Sequence, residues 1–398
     1  MQNQRRPVPH TRLFVPKAFY FLYYAAGAAL TPFIALYYQR LGLTGRQIGL
    51  LVGLPALITL FSAFIWGAFA DATRQHKRVL LTAILGVALA VLLLSLARSF
   101  HILILLVTLY AFLSAPIMPL ADNAVMDLLA ERRNQYGKLR LWGAVGWGVA
   151  APIVGLLTDA AGLRWIFYAY ILLMLCNLAL ASRLPVSRGA LGQPIWRGLR
   201  SLLMDRRWIL FLVPVFIGSV SRAVTENFLF LYLEDLGADQ TLMGFSLAVA
   251  SVSELPIYFF SAYLLDRWGA KGLLAFSLLA CVVRAAAFAA IGTPGLALPI
   301  QLLHGACFSA MQVAGVSYAD ALAPPGIGAT AQGVFHGVII GLATVFGALI
   351  GGALYQDLGG AVMFRWVSLI ALVGLLVFAL ANIRSVSRRP VSACPDEP

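Results

Sequence analysis

Charge is scarce in this chain, and acidic charge scarcest. Of 398 residues 11% are charged, with 16 Asp and Glu against 29 Lys and Arg. A soluble domain carries about 25% charge, so a water-soluble globule is excluded. Ten-residue segments of alternating polarity are missing too, which excludes a β-barrel. The four cysteines, Cys176, Cys281, Cys307 and Cys394, are dispersed, three of them in apolar runs, and make no disulfide framework. There is no glycine-rich phosphate loop and no cluster of metal-ligand residues, so neither an ATP-driven pump nor an enzyme is expected, and no metal or other cofactor. No cleavable signal is visible; the first apolar run would itself direct insertion.

What the chain has is apolar length. Apolar residues make up 61% and mean hydropathy is +0.86. A membrane-spanning helix needs about 20 such residues. Twelve runs qualify: 18–38, 47–70, 79–97, 101–129, 138–158, 163–182, 208–233, 242–265, 271–291, 296–321, 327–355 and 359–382. The expectation is an all-α membrane protein of twelve helices. Of the basic residues, 22 fall on the side of the N-terminus and five on the other, Arg40, Arg46, Arg98, Arg164 and Arg365. This bias places both termini in the cytoplasm. The net charge of +13 then reflects topology and anionic lipid and calls for no nucleic acid. A multi-pass protein of a prokaryote-type inner membrane is expected, as a monomer.

The same pattern occurs twice. Gly67 to Asp71, followed by Arg74, Lys77 and Arg78, closes one apolar run, and Asp266, Arg267, Gly269 and Lys271 close another 195 residues later. Ile48-Gly49 and Met243-Gly244, and Leu36-Tyr37 and Leu231-Tyr232, keep that offset; Asp159 and Asp357 stand 198 apart. The reading is two six-helix halves, 18–182 and 208–383, joined by a cytoplasmic linker at 183–207 with six arginines and flanked by tails at 1–17 and 384–398. Two such halves are the layout of a secondary transporter whose site lies between them. Asp71 and Asp266, with Gly67, Arg74 and Arg267, are expected to gate: a loop carboxylate can pair in one state and release in the other. Gly347, Ala348, Gly351 and Gly352 read as close helix packing.

A charge near the bilayer centre costs at least about 2.5–3.5 kcal/mol, so each one asks for a partner, a cavity or a task. Asp122 lies in the fourth run and Arg140 about one turn into the fifth, and adjacent antiparallel helices bring two such residues within pairing distance. The pair reads as a solute site or a permanent structural bridge. Trp142 and Trp147 are candidates to wall it, and Asn123 stands beside Asp122. Arg222 and Glu226 share one face of the seventh run at i, i+4, as an ion pair or with Glu226 carrying a proton. Glu254 has no base in its own run. Burial disfavours the charged form of a carboxyl, which makes Glu254 a proton site, with Arg284 of the ninth run as its expected partner. Gln301, His304, Phe308 and Gln312 share a face of the tenth run as a polar network. His336 has no evident partner.

The repeated loop and twelve runs resemble the major facilitator superfamily over about residues 15–383. More narrowly, Pro119-Leu120-Ala121-Asp122, Tyr136-Gly137-Lys138-Leu139-Arg140-Leu141-Trp142-Gly143, Ser253-Glu254, Val282-Val283-Arg284 and Gln301-Leu302-Leu303-His304 resemble the proton-symporter branch that holds phenylpropionate permease and lactose permease, and Val145-Gly146-Trp147 is similar to the latter. The resemblance implies solute binding by Asp122, Arg140 and Trp147 and proton coupling through Glu254, Arg284 and His304. From their places in the runs, Asn123 and Gln301 are further expected solute contacts and Glu226 a further expected proton site. The chain departs from the pattern at Ala72 and Arg74, where the loop usually has a basic residue and a glycine. It also has Cys307 where lactose permease has its coupling glutamate, and Ile340 where that protein has a lysine. The expectation is proton-driven symport of a small organic solute, an aromatic carboxylate, sugar or nucleoside. A drug or sugar efflux antiporter and a non-transporting receptor or scaffold are the alternatives.

Overall fold

The computed structural model describes residues 10–129, 136–184, 202, 204–323 and 327–386, with the side chains of 10–12, 64, 71, 329 and 383–386 left aside. Most of the expected linker, residues 1–9 and 387–398 of the expected tails and the side chain of Asp71 lie outside the described residues, while residues 10–17, expected in the N-terminal tail, begin the first helix.

The chain is helical throughout the described residues: α1 (His10–Leu30), α2 (Ile34–Arg40), α3 (Gly45–Thr73), α4 (His76–Leu96), α5 (Phe100–Ser114), α6 (Ile117–Leu129), α7 (Tyr136–Ala161), α8 (Trp165–Ala181), α9 (Arg206–Asp235), α10 (Gln240–Phe259), α11 (Ser261–Ala290), α12 (Ala297–Gln301), α13 (Leu303–Leu322), α14 (Gly328–His336), α15 (Ala343–Leu358) and α16 (Gly360–Val386), with a π turn, Gly337–Leu342, between α14 and α15. Among the described residues eleven helical stretches are long and apolar enough to cross a membrane, and Trp165–Ala181 is a shorter apolar helix. Four expected runs are broken: the first between α1 and α2, the fourth at Ala115-Pro116, the eighth at Phe260 and the tenth at Leu302. The helix starts are capped from sequence. Thr44 and Gln47 form a reciprocal box at α3, and the Asp239 carboxylate accepts from the Leu242 N–H at 2.6 Å at α10.

The offset of 195 seen in sequence recurs in contacts. Thr44 and Asp239 are those two caps. The Tyr37 hydroxyl donates to the Ser95 carbonyl at 3.4 Å and the Tyr232 hydroxyl to the Ile291 carbonyl at 3.2 Å. Tyr37 packs edge-on to Phe167 at 4.7 Å, and Tyr232 meets Phe364 at 5.1 Å. Every left-handed residue among those described has a counterpart: Gly42 with Gly237, Arg74 with Gly269, Gly162 with Gly359. Helix pairings match as well. α1 packs on α7 and α8, and α9 on α15 and α16; α5 packs on α3 and α4, and α13 on α10 and α11; α8 lies on α4, and α16 on α11.

Arg74 is the non-glycine residue among these, at φ 53°. It occupies the place where Gly269, at φ 64°, ends the equivalent helix. A side chain in this region costs about 1–2 kcal/mol. Arg74→Gly is therefore expected to raise the thermal midpoint, and Arg74→Ala to leave it near wild type. Equal midpoints for the two variants would contradict the strain argument.

The 10–181 and 206–386 portions meet through α3 on α15 and α7 on α10, and glycine sets both approaches. A Cβ on Gly49 would collide with the Ala348 carbonyl, and one on Gly155 would lie 2.5 Å from the Gln240 carbonyl. Polar contacts ring the same end. Arg40 pairs with Glu234 at 3.1 Å and Arg46 with Asp357 at 2.7 Å; the Tyr355 hydroxyl donates to Asp235 at 2.7 Å and the Thr241 hydroxyl to Asp159 at 3.0 Å. This is the end opposite Arg74 and Asp266. Gly49→Trp is expected to wedge α3 from α15, so that a Val345→Cys thiol beside Gly53 reacts with a maleimide at least tenfold faster, on the order of a lost contact of 1.4 kcal/mol. An unchanged rate would show that this contact is not the seal.

Candidate functional site

Two polar clusters face each other between the halves. In the first, Asp122 of α6 and Arg140 of α7 pair at 3.0 Å, with 27% and 44% of their side chains exposed. Three tyrosines complete it. The Tyr20 hydroxyl donates to the other Asp122 oxygen at 2.7 Å, and the Arg140 guanidinium donates to the hydroxyls of Tyr136 at 2.7 Å and Tyr24 at 3.0 Å. Tyr20 and Tyr24 stand one turn apart on α1, which Gly143 and Gly146 allow to pack tightly on α7: a Cβ on Gly146 would strike the Phe21 backbone. Trp147 is seven residues beyond Arg140, hence on the same face, against Gly27. Asn123 is exposed next to Asp122. Trp142 does not wall the site. Two residues on from Arg140 it points the other way, exposed, with Lys17 5.8 Å from its ring.

The second cluster lies on α10 and α13. Gly305 lets the two backbones touch, since a Cβ there would meet the Ser253 carbonyl, and its own N–H donates to the Ser253 hydroxyl at 2.8 Å. That contact sets the neighbouring residues side by side. Glu254 lies 3.4 Å from His304 Nε2 and accepts from the Ser309 hydroxyl at 3.3 Å. Arg284 is not the partner of Glu254. It is buried and donates to Gln301 Oε1 at 2.6 Å, because the break at Leu302 turns Gln301 off the face of His304. Gln301 is therefore buried and engaged by Arg284, away from the Asp122–Arg140 cluster. On α9, Arg222 pairs with Glu226 and also donates to the Ile339 carbonyl at 3.0 Å. Tyr258 stands one turn after Glu254 on α10 and is exposed.

Of the residues expected to gate, Gly67 is half-buried in α3, Arg74 caps α3, and Asp266 and Arg267 are exposed before the bend at Gly269.

A family model described as MFS_1 like matches residues 13–366. The chain belongs to the MFS_1-like family. It is 31% identical to maltose permease of Geobacillus stearothermophilus, over 91% of this chain and 92% of that one. It is 27% identical to a probable 3-phenylpropionic acid transporter of Escherichia coli (strain K12), over 89% and 93%. Among solved structures the nucleoside transporter NupG superposes with a TM-score of 0.83 at 18% identity, covering 93% of this chain and 99% of that one. A bacterial homologue of the lysosomal transporter Spinster does so at 0.77 and 14%, covering 98% and 100%. These likenesses give the fold. The chain is a multi-pass membrane transporter of the major facilitator type, with a small-molecule substrate.

Within this MFS_1-like chain the tyrosines are the residues that sequence reasoning passed over. Tyr20 and Tyr24 are separated from Asp122 and Arg140 by about a hundred positions, and the available signal was their i, i+4 spacing in the first run. Tyr136 stood in the motif without a role. Tyr258, one turn after Glu254, was signalled the same way.

Proposed function

We propose that the protein is a proton-coupled symporter of a small, neutral, hydroxyl-rich solute, in the sugar class, in a prokaryote-type inner membrane. The observation that carries this reading is the Asp122–Arg140 pair with its three tyrosine hydroxyls. Both Asp122 oxygens are already engaged, one by Tyr20 and one by Arg140. The cluster is therefore neutral as a unit. A sugar can replace tyrosine hydroxyls one for one and still leave the ion pair closed. A carboxylate solute has to compete with Asp122 for the guanidinium. The maltose permease relative agrees with the first case.

The matched contacts of residues 10–181 and 206–386 support two six-helix repeats, and the positive-inside bias supports cytoplasmic termini. With that orientation the sealed end is external. The solute meets Asp122 and Arg140 while a proton sits on Glu254 beside His304. Rocking of the halves makes and breaks the Gly49–Ala348 and Gly155–Gln240 contacts, so that the site opens to one side at a time. The proton gradient supplies the energy, and no cofactor takes part.

Thermal shift on the purified full-length chain tests the solute class. A ligand that binds the folded state stabilises by RT ln(1 + [L]/Kd). Maltose is expected to raise the midpoint dose-dependently, and 3-phenylpropionate and uridine to leave it unmoved. Stabilisation by 3-phenylpropionate alone would overturn the sugar assignment.

A further inference from the structure

The stretch from Gly328 to Leu358 holds a π turn at Gly337–Leu342. A π turn carries one residue more than the α turn it replaces, and such turns are common at functional positions. The Ile339 carbonyl in this one accepts the Arg222 guanidinium at 3.0 Å, so Arg222 ties the turn to α9.

The extra residue sets which side chain faces where. α15 is pinned on both sides: a Cβ on Gly347 would lie 2.7 Å from Ala223 of α9, and Gly352 touches Gly45 of α3. The register difference therefore falls on α14. In the observed register Phe335 is fully buried, its ring filling the space over Gly315 and stacking on Phe211 at 5.8 Å. His336 follows about 100° round the helix, half-buried. There it stands next to Gly337, and Cβ atoms on Gly337 and Gly341 would meet Leu60 of α3 at 3.8 and 3.9 Å, so this segment is turned to the other half. A regular α-helix running back from α15 shifts every preceding residue by one place. It would put His336 where Phe335 now fills the core.

We propose that His336 is a solute-binding residue, set opposite the Asp122–Arg140 pair by the π turn and held there by Arg222 as a positioning residue. The inference rests on the sugar-site reading and adds its second wall. An imidazole offers one donor and one acceptor, which suits a hydroxyl of a solute whose other end lies on Arg140.

Two measurements on the full-length protein, with Cys176 and Cys394 replaced by serine, test it. His336→Cys is expected to react with N-ethylmaleimide at least tenfold faster than Ile339→Cys, whose position is buried; an equally slow thiol at 336 overturns the placement. Maltose affinity by thermal shift is expected to fall at least tenfold in His336→Ala and to return to within threefold of wild type in His336→Gln, which keeps a donor and an acceptor. A His336→Ala protein with wild-type midpoint and wild-type maltose affinity, alongside loss in Arg140→Ala, overturns the His336 assignment alone. A wild-type protein unmoved by maltose overturns the sugar reading, and this contact with it.

Discussion

Arg140→Ala is expected to weaken maltose binding about a hundredfold, a loss of roughly 3 kcal/mol, the size of one or two hydrogen bonds to a charged group. The guanidinium holds Asp122, Tyr136 and Tyr24 together, so its removal scatters the donors as well as deleting one. Arg140→Lys keeps the charge and loses the planar fork, and it falls between the two. Calorimetry or thermal shift in detergent reads this directly. If the pair is only a bridge between α6 and α7, the outcome reverses: Arg140→Ala lowers the midpoint and leaves the affinity unchanged.

Glu254→Gln is expected to abolish proton-driven accumulation while leaving energy-independent exchange at wild-type rates. The amide keeps the size of the side chain and its bond to Ser309, and it stands in for the protonated acid. His304, 3.4 Å away, takes the place that Arg284 was expected to hold. His304→Gln is accordingly expected to impair accumulation, and Arg284→Gln to act chiefly through the buried contact with Gln301. Full accumulation by Glu254→Gln would remove Glu254 from the cycle and move the proton to Glu226. That acid is already paired with Arg222, so its protonation has to leave a buried arginine without its carboxylate.

The legible parts were those governed by composition and period. Apolar runs located the helices, since backbone groups in lipid leave little else possible. The offset of 195 was visible in Asp71 and Asp266 and reappears in the caps at Thr44 and Asp239. Asp122 and Arg140 could be matched because adjacent antiparallel helices leave a narrow range of pairings. Breaks inside apolar runs were only half legible: Pro32, Pro116 and Pro299 stand at or just before three of them, but a proline can bend a membrane helix without ending it. The π turn is hidden because one additional residue changes no window average. Glu254 and His304 meet through Gly305, a close approach that depends on which helices are neighbours. The second half of the site thus waited on packing, while the first followed from spacing.

The most direct test is solute uptake into proteoliposomes with an imposed pH gradient, acidic outside. Maltose is predicted to accumulate several-fold above its external concentration, and a protonophore or Glu254→Gln to bring it back to equilibrium. Uptake that stops at equilibrium in the wild-type protein, with or without the gradient, would contradict proton-coupled symport.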